Sequence, residues 1–335
     1  MQRRGSVILW VGLVVVIVAG IGLVAFIMRP KEVPVTPPGP QAGAPMQPPN
    51  GAPLTAKQPA NEWQDAGPAL AGTYADADIV TLADGSYRMY AATQPEVAGN
   101  NFEIYSATST DGINWKKEAG NRKVMATFPD VFTLPDGSYR MNFQGAGAIK
   151  SATSKDGLTF TDEAGTRINS ANDAGLALTN VAAPSTLKLA DGSYLMVYRG
   201  TLAQQYQAEL VPNRETTLLL YATSPDGKTW TKKGIAVDTR TSTTLKGWSD
   251  GPELIDYDGQ IRLYLSTYTG VYYSVFKDGT FSTPKFSWQL ADKNNPNNAF
   301  GGIPPGDPTL LKVGKTWYMY FGKHPEGIYY AVLAK

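Results

Sequence analysis

The sequence predicts an all-β fold: a five-bladed β-propeller whose last blade is closed by an N-terminal strand, preceded by one transmembrane helix and a proline-rich linker. Three observations predict it. A hairpin pattern recurs along the chain after residue 60, a second turn follows most of the hairpins, and the two ends of the repeat region complement each other.

The hairpin pattern is an apolar or β-branched run, an Asp-Gly type turn, and an aromatic-rich run. It is found at Asp78–Tyr90, Asp130–Asn142, Ser185–Val197 and Pro252–Tyr264, with a looser copy at Asp307–Tyr320. Asp-Gly supplies the positive φ angles of a tight hairpin turn, so each copy reads as two antiparallel strands. The second turn is Ser-x-Asp-Gly followed by an aromatic residue, at Ser109–Trp115, Ser154–Phe160 and Ser224–Trp230, and more weakly at Phe276–Phe281. Serine and aspartate bond turn amides, and the aromatic packs between neighbouring sheets. Strands repeated radially in this way make a propeller rather than a two-sheet sandwich. The fifth unit ends at its third strand, Gly327–Ala334. The missing outer strand is found at the start, where Glu62-Trp-Gln-Asp-Ala-Gly67 matches Asn114-Trp-Lys-Lys-Glu-Ala-Gly120. The strand around Trp63 is therefore expected to complete the last blade and remove the open sheet edge.

Ahead of the repeats, an apolar run extends from Val7 to Met28 between Arg3-Arg4 and Arg29. It is long enough to cross a bilayer and longer than the apolar region of a cleaved signal peptide, so residues 1–29 read as an uncleaved membrane anchor. The slight excess of positive charge before it places the N-terminus inside and the C-terminal domain outside the cytoplasm, a single-pass arrangement. Residues 30–59 are dense in proline and form an extended spacer. Residues 60–335 form the propeller.

Composition excludes several chemistries. The chain has 335 residues with 30 Lys+Arg against 29 Asp+Glu, which leaves no basic footprint for nucleic acid. It has no cysteine, so no disulfide framework or thiol nucleophile, and its one histidine rules out a multi-histidine zinc site.

Chemistry is expected where the first strand of each blade enters the channel, because residues from different blades converge there. The entries read Tyr74-Ala-Asp76-Ala-Asp78, Phe128-Pro-Asp130, Ala183-Pro-Ser185, Trp248-Ser-Asp250-Gly-Pro-Glu253 and Gly306-Asp307-Pro308. Four of these five entries aim a carboxylate at one axis. Crowded carboxylates raise one another's pKa values, which permits a protonated acid beside an ionised base, as glycosidic cleavage requires. The turn aspartates Asp84, Asp136, Asp191 and Asp258 lie at the far end of the strands and read as structural. Tyr74, Phe128, Tyr206, Trp248 and Phe300 are candidates to stack on sugar rings. Arg199, Gln144, Lys323, His324 and the insertion from Thr201 to Thr216 reach the same face by the repeat. Arg88, Arg140 and Arg262 share a second-strand position and read as inter-blade packing residues rather than a sialidase-like arginine cluster.

These Asp-Gly-Ser-Tyr-Arg-Met-Tyr hairpins and Ser-x-Asp-Gly-x-x-Trp turns resemble the five-bladed glycosidase superfamily, which includes the arabinanase- and xylosidase-like family 43 and the invertase-like family 32. The resemblance covers residues 60–335. It implies a glycoside hydrolase with a poly- or oligosaccharide as partner, and it carries roles to particular residues. Asp78, or its neighbour Asp76, resembles the base; Asp130 matches a blade-two entry carboxylate; and Asp250-Gly251-Pro252 stands where a Glu-Gly-Pro acid would be. Two departures bear on activity: Ser185 replaces an expected carboxylate, and the acid position is one methylene short. On a regular strand Glu253 would face away from Asp250 and rescue it poorly. Asp78, Asp130 and Asp250 are thus the expected catalytic set, with Asp76, Tyr74, Phe128, Arg199, Trp248, Glu253, Asp307 and His324 as expected substrate contacts. No cofactor is required, although an oxygen-rich channel also suits calcium. The competing reading is a non-catalytic glycan-binding or protein-interaction propeller.

Overall fold

The computed structural model describes residues 61–94, 99–171, 173–207, 215–290, 305–323 and 326–334. The expected membrane anchor, the linker, Phe300 and His324 lie outside the described residues. Among the described residues no helix is long and apolar enough to cross a membrane.

The chain begins with β1 (Trp63–Ala71). Blade one contains β2 (Tyr74–Thr81), β3 (Tyr87–Thr93), β4 (Glu103–Ser109), β5 (Lys116–Lys117) and the short β6 (Lys123–Val124). Blade two contains β7 (Thr127–Thr133), β8 (Tyr139–Gly145), β9 (Ala148–Ser154) and β10 (Thr161–Asp162). Blade three contains β11 (Leu178–Lys188), β12 (Tyr194–Leu202), β13 (Thr217–Ser224) and β14 (Thr231–Val237). Blade four contains β15 (Asp250–Tyr257), β16 (Gln260–Thr267), β17 (Gly270–Lys277), β18 (Thr280–Phe281) and β19 (Lys285–Trp288). Blade five contains β20 (Gly306–Val313), β21 (Thr316–Lys323) and β22 (Gly327–Leu333). Each sheet is an antiparallel meander, and the fifth has the order β1-β22-β21-β20. This is the five-bladed propeller the repeat predicts.

The closure is the one the matching ends predict. β1 pairs with β22 from Trp63 opposite Leu333 to Ala71 opposite Gly327. The chain therefore enters blade five at the end remote from the first-strand entries and reaches those entries at Ala71. Its start is also tied to blade four, where Trp63 Nε1 donates to Ser287 Oγ at 3.0 Å and Ser287 Oγ donates to Glu62 at 2.6 Å. Trp63, almost wholly buried, meets the edge of Tyr264 at 6.3 Å between ring centroids. Burying such a ring stabilises the seam by an amount on the order of 2 kcal/mol.

The turns behave as their residue types require. Asp84, Asp136 and Asp191 each accept from the backbone N–H and the hydroxyl of the serine two residues on, at 2.6–3.0 Å. The Ser-x-Asp-Gly turns do more, because each docks on the preceding blade. Tyr90 Oη donates to Gly157 O at 2.9 Å, Arg88 to Asp156 O at 2.9 Å and Arg140 to Asp226 O at 3.0 Å. Tyr320 Oη of blade five reaches Gly112 O of blade one and completes the circle. A Cβ at Gly157 would lie 2.6 Å from Arg88 and 2.7 Å from the Tyr90 hydroxyl, so this close approach requires glycine. Arg262 differs from Arg88 and Arg140. The last blade has no such turn to offer it, and its guanidinium lies instead over Tyr257 and Tyr273, at 3.9 and 4.6 Å.

Candidate functional site

All five first strands start with the same irregularity. The pairing skips between Ala75 and Asp78, Thr127 and Asp130, Ala182 and Ser185, Asp250 and Glu253, and Gly306 and Thr309. Each gap is a bulge whose first residue is left-handed: Asp76, Phe128, Ala183, Gly251 and Asp307, with φ between 46 and 53°. Four of these are not glycine, and an L-residue in this region costs about 1–2 kcal/mol. A strained conformation repeated around one axis points to a built site.

The bulges sort the entry residues into two layers. Asp78, Asp130, Ser185, Glu253 and Thr309 follow the bulges and occupy equivalent positions. The expectation that Glu253 faces away from the other carboxylates assumed a regular strand, and the bulge overturns it. These residues form an inner ring of bonds between blades. The Val131 N–H donates to Asp78 at 2.6 Å, Thr186 N–H to Asp130 at 2.9 Å, Leu254 N–H to Ser185 Oγ at 2.8 Å and Leu310 N–H to Glu253 at 3.3 Å. Asp130 also accepts from Thr186 Oγ1 and Asn142 Nδ2, and Glu253 accepts from Thr309 Oγ1 and Ser185 Oγ. Four of the five inner side chains thus take an amide of the next blade, while Thr309 donates back to Glu253. Asp130→Ala would leave three donors without their acceptor and is expected to cost about 2–4 kcal/mol in urea unfolding.

Burial governs the inner layer's proton affinity. Asp78 is raised well above the ordinary carboxylate range by desolvation and then by the neighbouring Glu253 and Asp130. Asp130 is raised by burial against the opposing bonds from Thr186 and Asn142. Glu253 is pushed up to about 8, chiefly by burial, with Asp130 adding to it.

The outer layer comprises the left-handed residues and their neighbours. Asp250 precedes its bulge, accepts from the Gly251 N–H at 2.9 Å and is ion-paired with Arg199 of blade three. The Arg199 guanidinium also lies over the Phe128 ring at 5.3 Å and within the field of Asp307 and Asp76. Asp307 sits against Gly251, where a Cβ would fall 2.3 Å from both its Cα and its Oδ1. The two layers meet at a small, open pocket lined by Asp76, Asp78, Phe128, Asp130, Glu253 and Asp307, together with Ser185, Gly251 and the adjoining Ala and Pro residues. Among the described residues no group of three or more His, Asp or Glu is placed to hold a metal ion.

Other candidates lie elsewhere. The Tyr74 ring packs edge-on to Tyr105 at 6.1 Å, with Lys117 over it, in the seam with Leu311 and Ile328. Trp248 is half-buried and stacked on Tyr268 at 4.6 Å. Lys323 pairs with Glu326 at 2.8 Å, and Tyr206 lies under Arg240. None of these four lines the pocket.

Solved structures share this architecture. A thermostable family-43 glycoside hydrolase superposes with a TM-score of 0.59 at 15% identity, covering 78% of this chain and 88% of that one. An endo-1,4-β-xylanase from Bacteroides thetaiotaomicron gives 0.55 at 16% identity, covering 78% and 90%, and a glycosyl hydrolase from Bacteroides ovatus gives 0.56 at 15%, covering 78% and 84%. No protein-family model matches the chain and no curated protein matches it in sequence. The fold is the five-bladed propeller of these glycosidases, at identities that speak for architecture alone.

Proposed function

We propose that this chain is a membrane-tethered, cell-surface protein of glycoside hydrolase type that acts on a glycan at the channel mouth through paired carboxylates. The observation that carries this reading is the convergence of five carboxylates on one axial pocket, in two layers of unlike chemistry. Glu253, pushed up to about 8, keeps its proton at neutral pH and serves as proton donor. Asp76, at the mouth, takes the part of the base. Asp250, held by Arg199 and the Gly251 amide, is engaged as an acceptor and organises the charge around the mouth. Phe128, half-buried at the rim, offers an apolar face to a sugar ring. β1 begins at the end of blade five remote from the mouth, where a tether preceding it would attach.

The test is reducing-end release by the full-length chain in detergent from a panel of plant, bacterial and fungal polysaccharides. Asp76→Asn and Glu253→Gln are each expected to lower release by about a hundredfold or more. Release unchanged in both well-folded variants overturns the assignment. A second reading, glycan binding without cleavage, is favoured by the bonds that tie every inner carboxylate to a neighbouring blade. Retained polymer binding with no release would establish it.

A further inference from the structure

Resting on this reading of the mouth as a glycan site, we infer that the glycan is an extended chain whose sugar rings beyond the pocket stack on an apolar platform. Phe102 and Met125 form that platform where blade one meets blade two. Among the described residues four large apolar side chains stand open to solvent, Phe102, Ile113, Val124 and Met125, and three of the four are neighbours. β6 pairs with β4 through Glu103 opposite Val124 and Ile104 opposite Lys123. One step further, that register sets Phe102 opposite Met125, and the Ala126 N–H donates to Phe102 O at 2.9 Å. Phe102 is 47% and Met125 75% exposed, yet both are left-handed, with φ of 51° and 54°. A bulky L-residue in this region costs about 1–2 kcal/mol, and these open side chains gain little burial in return. Strain held at a cluster of exposed apolar residues points to a ligand rather than to packing.

The platform lies on the mouth face. β2 starts there, so β3 ends there and β4 begins there, with Phe102 just ahead of it. Met125 is followed by Ala126, Thr127 and Phe128, the ring at the pocket rim. Three residues of chain hold the Cα atoms of Met125 and Phe128 within roughly 11 Å of each other. An apolar path thus leads from the pocket out over the seam between blades one and two. Size and charge select its occupant. Phe102, Val124 and Met125 leave on the order of 300 Å² open. A stable protein–protein interface buries about 800 Å² a side, so a second copy of this chain would find too little here. The C–H faces of a few sugar rings match it. The charged groups alongside are engaged within the molecule. Glu103 accepts from Tyr105 at 2.9 Å and Asn121 at 3.0 Å, and Lys123 pairs with Asp162 at 2.9 Å. The platform therefore favours a neutral apolar face over an ionic partner.

The test uses the full-length chain in a detergent whose headgroup is not a sugar, with calorimetry on neutral oligosaccharides of glucose, mannose, xylose and arabinose. Each series runs from disaccharide to hexasaccharide. In at least one series affinity is expected to rise by about tenfold or more with length. The double variant Phe102→Asn/Met125→Gly removes the platform and installs residues that accept the left-handed backbone more readily. It should melt at or above the wild-type temperature, bind the disaccharide as the wild type does and lose most of the gain with length. Affinity that does not rise with length overturns the inference, as does a rise that survives in the double variant. A wild-type dimer that the double variant dissolves would overturn it too, by making a second copy the occupant. If glycans are bound or cleaved without regard to length, this inference alone fails. Absence of any glycan binding removes the functional proposal as well.

Discussion

Gly251→Ala is expected to collapse the mouth and to lower glycan binding or turnover by more than about a hundredfold. Two effects act at once. Residue 251 has a φ of +50°, and an added Cβ would lie 2.3 Å from the Asp307 Cα and 2.3 Å from its Oδ1. The nearest obstacle is backbone, so a rotamer change cannot relieve it; the blade-four and blade-five entries must move apart. That movement pulls Asp307 from its place and disturbs the Asp250 bond to the 251 amide, together with the seat of Arg199. Stability should fall by about 2–4 kcal/mol, combining backbone strain with overpacking. Gly279→Ala is the control, because φ is +78° there and nothing lies within 4 Å of the added carbon. It should cost about 1 kcal/mol and leave the mouth intact. Equal losses in the two variants, with binding preserved in Gly251→Ala, would show that the blade-four and blade-five entries do not depend on this contact.

The hairpin turns, the second turns and the closure at Trp63 were readable because each is local. Asp-Gly needs no partner to declare a turn, and the Glu62–Gly67 segment could be matched to sister strands by composition alone. The division of the entries into two layers depends on a bulge, and a bulge shifts every later side chain to the opposite face. A regular-strand reading therefore grouped Asp250 with Asp78 and Asp130, whereas the bulged strand groups Glu253 with them. The signal was present in the repeat. Phe128-Pro-Asp130, Ala183-Pro-Ser185, Gly251-Pro-Glu253 and Asp307-Pro-Thr309 each hold proline at the second bulge position, and Asp76-Ala-Asp78 is the fifth copy. Aligning on that proline rather than on the hairpin turns brings Glu253 into register. The destinations of Tyr74 and Trp248 were not legible, because a ring beside a strand entry can turn to the channel or the seam. Here the choice was made by Tyr105 and Tyr268, which are distant in sequence.

The two layers divide structure from recognition. An inner acceptor that captures the next blade's amide closes the ring where the strands converge, and a carboxyl group can do this in either protonation state. The left-handed residues above it turn their side chains to the mouth, at a strain the closed ring sustains. The same five-fold repeat thus fixes a scaffold at one position and carries Asp, Phe, Ala, Gly and Asp at positions 76, 128, 183, 251 and 307, with glycine required at 251 by the approach of Asp307.

The inner ring also sets the pH at which the fold is strongest, and a stability maximum is expected on the mildly acidic side, near pH 5. Glu253 has an ordinary value of 4.5 and is pushed up to about 8 in the folded chain, first by burial. Between those values the folded state holds a proton that the unfolded chain has released, so stability falls as pH rises through the window and levels off above about 8. Asp78 and Asp130 are raised by burial as well and act in the same direction. The opposite limb comes from carboxylates held low. Asp156 is lowered to about 2 by the Thr159 and Leu158 amides. Glu163 reaches about 2 because Arg140 and Ser151 outweigh its burial. Their stabilisation is present above the unfolded value and is lost as pH falls toward 2. Thermal unfolding should therefore occur roughly 5–10 °C higher at pH 5 than at pH 8.5, corresponding to a few kcal/mol. Glu253→Gln keeps an acceptor for Thr309 and Leu310 but cannot titrate. It should shrink the difference, chiefly by raising the melting temperature at pH 8.5 relative to the wild type. A pH profile of melting temperature identical in the two proteins would mean that Glu253 is ionised in the folded ring throughout, and that the inner carboxylates close the blades as anions.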